Sequence, residues 1–144
     1  MKSDFTINVA TWRNNSQELC FVREQVFMLE QQVPEELEWD GLDGHAVHLL
    51  ARDNAGNPIG TVRMLSDGHV GRMAVLKPWR GRGVGSALLK TIIATARSVG
   101  MEAIFLDAQI QAIAFYERHG FIIEGGEFMD AGMPHRHMTL LLPG

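Results

Sequence analysis

The segment with the clearest chemical potential is residues 77–90, KPWRGRGVGSALLK. Between Arg80 and Gly85 it holds three glycines and two arginines, and a pattern of apolar residues typical of a helix follows. Glycine lacks a Cβ atom, so a ligand can approach its backbone closely, and the first amides of a helix have no intrahelical partner. With the added positive charge, this arrangement favours binding of a phosphate group.

The glycine spacing distinguishes between known phosphate-binding loops. A Walker A loop requires G-x-x-x-x-G-K-[S/T], but Ser86 follows Gly85 with no lysine before it. A dinucleotide loop requires G-x-G-x-x-G after the first strand of a βαβ unit, whereas this loop reads G-x-G-x-G and follows three hairpin-linked strands. A third pattern, [Q/R]-x-x-G-x-[G/A], is filled by Arg80, Gly83 and Gly85. From the loop alone, a flexible turn with a basic, solvated tip is the alternative.

Tyr116 is a second residue that could do chemistry, within QIQAIAFYERHGF at residues 109–121. It is the only tyrosine in the chain and lies near the end of a predicted short helix. An ordinary tyrosine has a pKa near ~10, so it is protonated at neutral pH and can donate a proton. The alternative is a half-buried aromatic residue with its hydroxyl at the surface.

Proton acceptors are sought among carboxylates and histidines. The acidic segment before the predicted sheet contributes Glu36, Glu38, Asp40 and Asp43, for which a solvated loop is the alternative. Farther along, Glu127 and His135 flank the sequence FMDAGMP. His135 and His137 share a face if their strand is regular, but no third ligand accompanies them, so a metal site is not predicted.

The elements that must position these residues follow from hydrophobic periodicity. A strand over residues 5–12 precedes a helix over residues 17–32, with Asn14, Asn15 or Ser16 as its cap. Three hairpin-linked strands, a helix ended by Gly100, a buried strand, a short helix and two final strands complete the chain. This order predicts a mixed sheet with helices on its faces, an α/β or α+β fold.

Composition sets broad limits. The 144 residues, 46% of them hydrophobic, fit one domain spanning residues 1–144. A net charge of −4 argues against a general nucleic-acid binder. The single cysteine, Cys20, excludes an intramolecular disulfide and a cysteine-based zinc site. The sequence shows no secretory signal and no membrane-spanning apolar run, so we expect a cytoplasmic protein without membrane partners.

Taken together, the loop, the strand GRMAVLKPW before it, the Tyr116 segment and the element order resemble the GNAT acetyltransferase superfamily from about His45 to the C-terminus. Residues 22–48, 106–121 and 125–138 resemble its ElaA-like and YjcF-like subgroup. The resemblance implies a GNAT fold, with a mostly antiparallel central sheet splayed between the fourth and fifth strands and helices on both faces.

The resemblance also implies acetyl-CoA as the acetyl donor, without a metal. The backbone of Met73, Ala74 and Val75 would pair with the pantetheine arm. The pyrophosphate would lie in the loop of Arg80, Gly81, Arg82, Gly83, Val84, Gly85 and Ser86. Phe115 would line the donor's path, and Gln109 stands where the superfamily often has asparagine. Tyr116 would be the general acid for the CoA thiolate.

The implied function is direct transfer of the acetyl group to an amine on a small molecule or peptide, with a homodimer as one option for assembly. Glu36, Glu38 and His135 are the candidates for the base or the acceptor site, and the acidic segment would suit a cationic amine. A non-catalytic acyl-CoA binding or sensing module of the same fold is the alternative. A longer acyl group also stays open.

Overall fold

The computed structural model describes residues 4–35 and 39–143. Its strands are β1 Phe5–Ala10, β2 Val47–Asp53, β3 Pro58–Met64, β4 Val70–Val75, β5 Ala103–Gln109, β6 Ile122–Asp130 and β7 Met133–Leu141. The α-helices are α1 Trp12–Arg23, α2 Val84–Ser98 and α3 Ile113–Arg118. Short 3₁₀ turns cover Asp43–His45, Lys77–Trp79 and Ile110–Ala112.

The strands form two antiparallel sheets that meet along one short contact. The first has the order β1-β2-β3-β4 and the second β5-β7-β6. The Phe105 amide donates to the Gly68 carbonyl at 3.1 Å, beside a parallel bridge between His69 and Phe105. Within the described residues, β4 and β5 form no ladder beyond this point, so a cleft opens between them. The predicted splay between the fourth and fifth strands is confirmed.

The helices lie on both faces, as predicted. Helix α2 buries Val84, Leu88, Leu89, Ile92, Ile93 and Ala96 in a core that reaches both sheets. In the same helix the hydroxyls of Thr91 and Thr95 donate to the carbonyls one turn earlier, each at 2.8 Å. Helix α1 packs on the opposite face, where Val22 contacts a cluster that includes Ala74 of β4.

Helix α1 begins earlier than the sequence indicates. Its cap is Thr11, whose hydroxyl accepts from the Asn14 amide at 3.2 Å, while the Asn15 side chain accepts from the Thr11 amide at 3.0 Å. This reciprocal pair satisfies amides at the helix start, so the predicted cap at Asn14–Ser16 is wrong. The helix then widens into a π-helical segment, Glu24–Glu30, that reaches the cleft.

The β6–β7 hairpin ends in a tight turn. Asp130 pairs with Met133 across a two-residue turn, and Ala131 and Gly132 both have positive φ, +52° and +76°. Such turns match the natural twist of a hairpin. The turn carries Asp130 and Ala131 to the cleft wall.

Candidate functional site

The glycine-rich loop adopts the conformation that its sequence requires. Gly81 and Gly83 have φ of +74° and +87°, a region that other residues adopt only with strain. Gly83 is the N-cap of α2, and no side chain of the described residues caps that helix. The first amides of α2 are therefore available to an anion, and the helix dipole adds to the attraction.

Both loop arginines already have partners. Arg80 makes a bidentate pair with Glu30 at 2.5 and 2.7 Å, and its Nε donates to the Val75 carbonyl at 2.9 Å. Arg82 lies 4.0 Å above the Trp79 ring and 3.2 Å from the Asp4 carboxylate. The positive charge expected in the loop is thus partly neutralised by the protein itself.

A cavity of about 540 Å³ lies in the cleft between β4 and β5. Of the predicted site residues, those that line it are Met73, Ala74, Val75, Arg80, Gly85, Gln109, Phe115, Tyr116 and His135. The rest of the predicted loop, Gly81, Arg82, Gly83, Val84 and Ser86, lies outside its wall. Val84 is a core residue, 1% exposed, so only its backbone faces the loop. Ser86 is hydrogen-bonded to His119 at 3.1 Å.

Tyr116 reaches across the cleft. Its hydroxyl donates to the thioether sulfur of Met73 on β4 at 3.8 Å. The rings of Phe115 and Phe121 pack edge-on against it, with centroids at 5.1 and 5.9 Å. Burial raises the pKa of Tyr116 to about 12, because the charged phenolate is disfavoured away from water. The hydroxyl therefore keeps its proton throughout the neutral range.

Strand β4 carries a β-bulge beside this hydroxyl. Thr61 pairs with Ala74 and Arg63 with Gly71, so Arg72 and Met73 together oppose one residue of β3. Arg72 has φ of +48°, which is uncommon for a residue with a side chain. Bulges bend a strand and are frequent next to active sites.

The acidic segment serves a different purpose from the one expected. Glu36 and Glu38 lie outside the described residues. Asp43 is buried and pairs with Arg23 at 2.7 Å and with Arg63 at 3.2 Å. Burial opposes ionisation of Asp43, but its arginine partners still lower its pKa. Asp43 is therefore part of a buried ion network, and not of a solvated loop or an acceptor site.

Asp40 belongs to the same network. It accepts from Arg63 at 2.8 and 2.9 Å and from Arg72 at 3.2 Å. Burial would raise its pKa, yet the hydrogen bonds from Arg63 and the Leu42 amide lower it to about 2. Asp40 is therefore a tether between the segment before β2 and the bulge of β4.

His135 and Gln109 face each other across the β5–β7 ladder. His135 is 6% exposed, and its Nδ1 donates to the Met133 carbonyl at 2.8 Å. A carbonyl only accepts, so Nδ1 carries the proton and Nε2 of the neutral ring keeps a lone pair. Gln109 donates to Gln31 at 3.0 Å and accepts from Gln111 at 2.6 Å, which links β5 to the segment after α1.

Asp107 also lies in the cavity wall, although it is not among the site residues predicted from the sequence. Asp107 Oδ1 accepts from His137 Nδ1 at 2.9 Å, and its Oδ2 lies 3.8 Å from His69 Nε2. Asp130, at the hairpin turn, also lines the cavity. Asp107 alternates with the buried Leu106 and Ala108, a pattern that places it on the face of β5 away from the core. This alternation is the sequence signal that could have identified Asp107.

The fold is that of the acyl-CoA N-acyltransferases. An acyl-CoA N-acyltransferase from Pseudomonas aeruginosa superposes with a TM-score of 0.83 at 26% identity, covering 94% of this chain and 99% of that one. Escherichia coli ElaA superposes with a TM-score of 0.84 at 26% identity over the same shares.

Sequence comparison identifies the family. The family model described as "Acetyltransferase (GNAT) domain" matches residues 13–142. YjcF of Bacillus subtilis, an uncharacterized N-acetyltransferase, is 39% identical over 122 residues, covering 82% of this chain and 86% of that protein. The chain belongs to the GNAT acetyltransferase family, which implies acetyl-CoA as the acyl donor.

In residues 4–35 and 39–143, no three histidine, cysteine, aspartate or glutamate side chains are grouped to hold a metal ion. None of the helices in that part of the chain is long and apolar enough to cross a bilayer.

Proposed function

We propose that the protein transfers the acetyl group of acetyl-CoA directly to an amine, with Tyr116 as the general acid. The observation that carries this proposal is the Tyr116 hydroxyl, which reaches across the β4–β5 cleft and already donates to a sulfur atom, that of Met73. A hydroxyl at this place can serve the sulfur of a thioester in the same way.

The residues around the cleft fit the donor. The uncapped amides of α2 suit a pyrophosphate, and the backbone of Met73 to Val75 lines the cavity beside them. Because β4 has no strand partner on its cleft side in the described residues, its edge can pair with the amides of the pantetheine arm. Phe115 packs between Gly85 and Tyr116 and would line the path to the thioester.

In the proposed reaction the lone pair of the neutral amine attacks the thioester carbonyl carbon. A backbone N–H near the β4 bulge stabilises the negative charge on the carbonyl oxygen. The C–S bond breaks, and the departing sulfur receives a hydrogen bond and then a proton from Tyr116. The phenolate regains a proton from water because its pKa is about 12. The amine loses its proton to a base.

His135 is the base candidate that the described residues favour. It lines the cavity, and the bond from its Nδ1 to the Met133 carbonyl leaves Nε2 as a proton acceptor. Glu36 and Glu38 stay predictions. A single domain over residues 1–144, a cytoplasmic location, the homodimer option and the absence of nucleic-acid partners also stay predictions of the sequence.

The test measures CoA release over a panel of primary amines with wild type and Tyr116→Phe. The variant keeps the ring and removes only the hydroxyl. We expect kcat to fall by about a hundredfold or more, as is typical for loss of a general acid. The dissociation constant of acetyl-CoA should stay within about twofold, because the hydroxyl would serve the leaving group and not ground-state binding.

Two results would contradict the proposed function. Equal kcat in wild type and variant would remove Tyr116 from the acid role. Tight acetyl-CoA binding without release of CoA for any amine would favour the non-catalytic sensing module.

A further inference from the structure

We propose that the preferred acceptor is an amine that carries a second positive charge and no carboxylate, and that Asp107 and Asp130 select it. This inference rests on the proposed acetyl transfer and names the substrate class of the same cavity. The carboxylates that would select the acceptor thus lie on the second sheet, and not in the acidic segment before β2.

The positive charges in the cavity wall are paired with carboxylates, whereas the negative charges are not paired with arginine or lysine in the described residues. Among its described residues, the cationic side chains are Arg72 and Arg80, and each meets a carboxylate, Asp40 at 3.2 Å and Glu30 at 2.5 Å. The anionic ones are Asp107 and Asp130, and neither forms an ion pair with a described arginine or lysine. The charge left for a ligand is therefore negative.

Asp107 is held in place without being neutralised by a permanent cation. His137 donates to one of its oxygens, and the other oxygen, 3.8 Å from His69, accepts no hydrogen bond from the described residues. The Phe105 ring packs against both imidazoles, with centroids 4.9 Å from His69 and 5.5 Å from His137. An oriented carboxylate with one open oxygen is suited to an ammonium group.

His135 stands between the two carboxylates on one face of the second sheet. Along β7, Met133 pairs with Asp130, His135 with Gln109, and His137 with Asp107. Cross-strand partners share a face, and residues two apart on a strand lie roughly 7 Å from each other. His135 is more than nine-tenths buried, lines the cavity, and has an Nε2 without a hydrogen-bond partner among the described residues.

This arrangement suits a diamine. The nitrogen that reacts would lie at His135 Nε2, and the second ammonium would lie near one carboxylate, roughly 7 Å away along the strand. A four-carbon chain between the nitrogens can span that distance. A carboxylate in place of the second amine would face Asp107 or Asp130 and be repelled.

The test compares 1,4-diaminobutane with 4-aminobutanoate, which have similar length and opposite terminal charge. For wild type we expect kcat/KM to be about tenfold or more higher for the diamine, the size expected for a charge-assisted contact. Asp107→Asn or Asp130→Asn should remove most of this preference. Glu102→Gln is the matched control, since it removes an exposed carboxylate that does not line the cavity and should leave the preference unchanged.

Binding of both probes to the CoA-saturated protein is measured by calorimetry. This measurement distinguishes a failure of the proposed acceptor class from a failure of the proposed acetyl transfer. Tighter binding of the diamine that Asp107→Asn abolishes, without acetyl transfer, would sustain the acceptor site and overturn the transferase proposal. Transfer without preference, or with preference for 4-aminobutanoate, would overturn the acceptor class only. Failure of both probes to bind would also overturn it.

Discussion

At the scale of single residues, Arg80 shows how a motif residue can be committed to a partner before any ligand arrives. Its pattern position predicts a phosphate contact, but its guanidinium forms a bidentate pair with Glu30 and caps the Val75 carbonyl. The hydrogen bond from Arg80 lowers the pKa of Glu30, so this carboxylate is charged at neutral pH. A phosphate bound in the loop would therefore compete with Glu30 for the same cation.

We expect Glu30→Gln to tighten CoA binding by about two- to fivefold at low salt, because an exposed ion pair of this kind is worth ~0.4–1 kcal/mol. The gain should shrink as salt rises, since screening weakens exposed charges. Isothermal calorimetry over a salt series measures both effects. Glu24→Gln, an exposed carboxylate on the same helical segment, is the control and should change nothing. Weaker binding in Glu30→Gln would mean that the pair shapes the loop and does not compete with the ligand.

At the scale of elements, the bulge of β4 is held by a residue far away in sequence. Arg72 adopts φ of +48°, which costs of order 1–2 kcal/mol in a residue with a Cβ atom. Its side chain donates to Asp40, which Arg63 anchors with two further hydrogen bonds. Asp40 thus acts as a positioning residue for the strand edge that would bind the thioester carbonyl.

Asp40→Asn should lower kcat by about tenfold while the dissociation constant of acetyl-CoA changes little, because loss of the tether lets the bulge relax. In an Arg72→Gly background the same change should leave kcat unaltered, since glycine adopts positive φ without strain. The free energy of unfolding should fall in both backgrounds, because Arg63 loses one of its two carboxylate partners in each. This double-mutant cycle separates positioning from stability. An equal drop in kcat in both backgrounds would leave Asp40 with a purely structural role.

The strands and helices were largely predictable because their signals are local. The short apolar run of β2, the alternation of β5 and the helical repeat of α2 each lie within one segment of sequence. The bulge was not predictable, since positive φ falls on Arg72 although a glycine, Gly71, stands next to it. The pairing of β3 with β4, and not the sequence of β4, determines which residue bulges.

The candidate site, like the fold, was predictable only where its sequence signal is local. The loop and Tyr116 were recognisable because each lies in a contiguous motif, and in the structure the Tyr116 hydroxyl donates to Met73. The role of Asp40 and Asp43 was not, because their arginine partners come from α1, β3 and β4. An acidic run in sequence does not reveal whether its charges meet solvent or buried cations.

At the scale of the whole molecule, two sheets share one core but are hydrogen-bonded to each other only at one end of the cleft within the described residues. Helix α2 packs on both sheets, while the facing edges of β4 and β5 diverge toward the glycine loop. A donor that lies in the cleft would fill this gap and add contacts to both sheets at once. Binding and global stability are therefore expected to be coupled.

Acetyl-CoA at a hundred times its dissociation constant should stabilise the fold by about 2.7 kcal/mol, which corresponds to a rise in Tm of about 5–10 °C for a chain of this size. Hydrogen exchange should slow most at the amides of β4, β5 and the first turn of α2, and little at the outer edges β1 and β6. Tyr116→Phe should show the same rise in Tm, because its hydroxyl would serve the leaving group and not donor binding. A rise in Tm with protection confined to β1 or β6 would place the donor outside the cleft, and a smaller rise in Tyr116→Phe would make the hydroxyl a binding group.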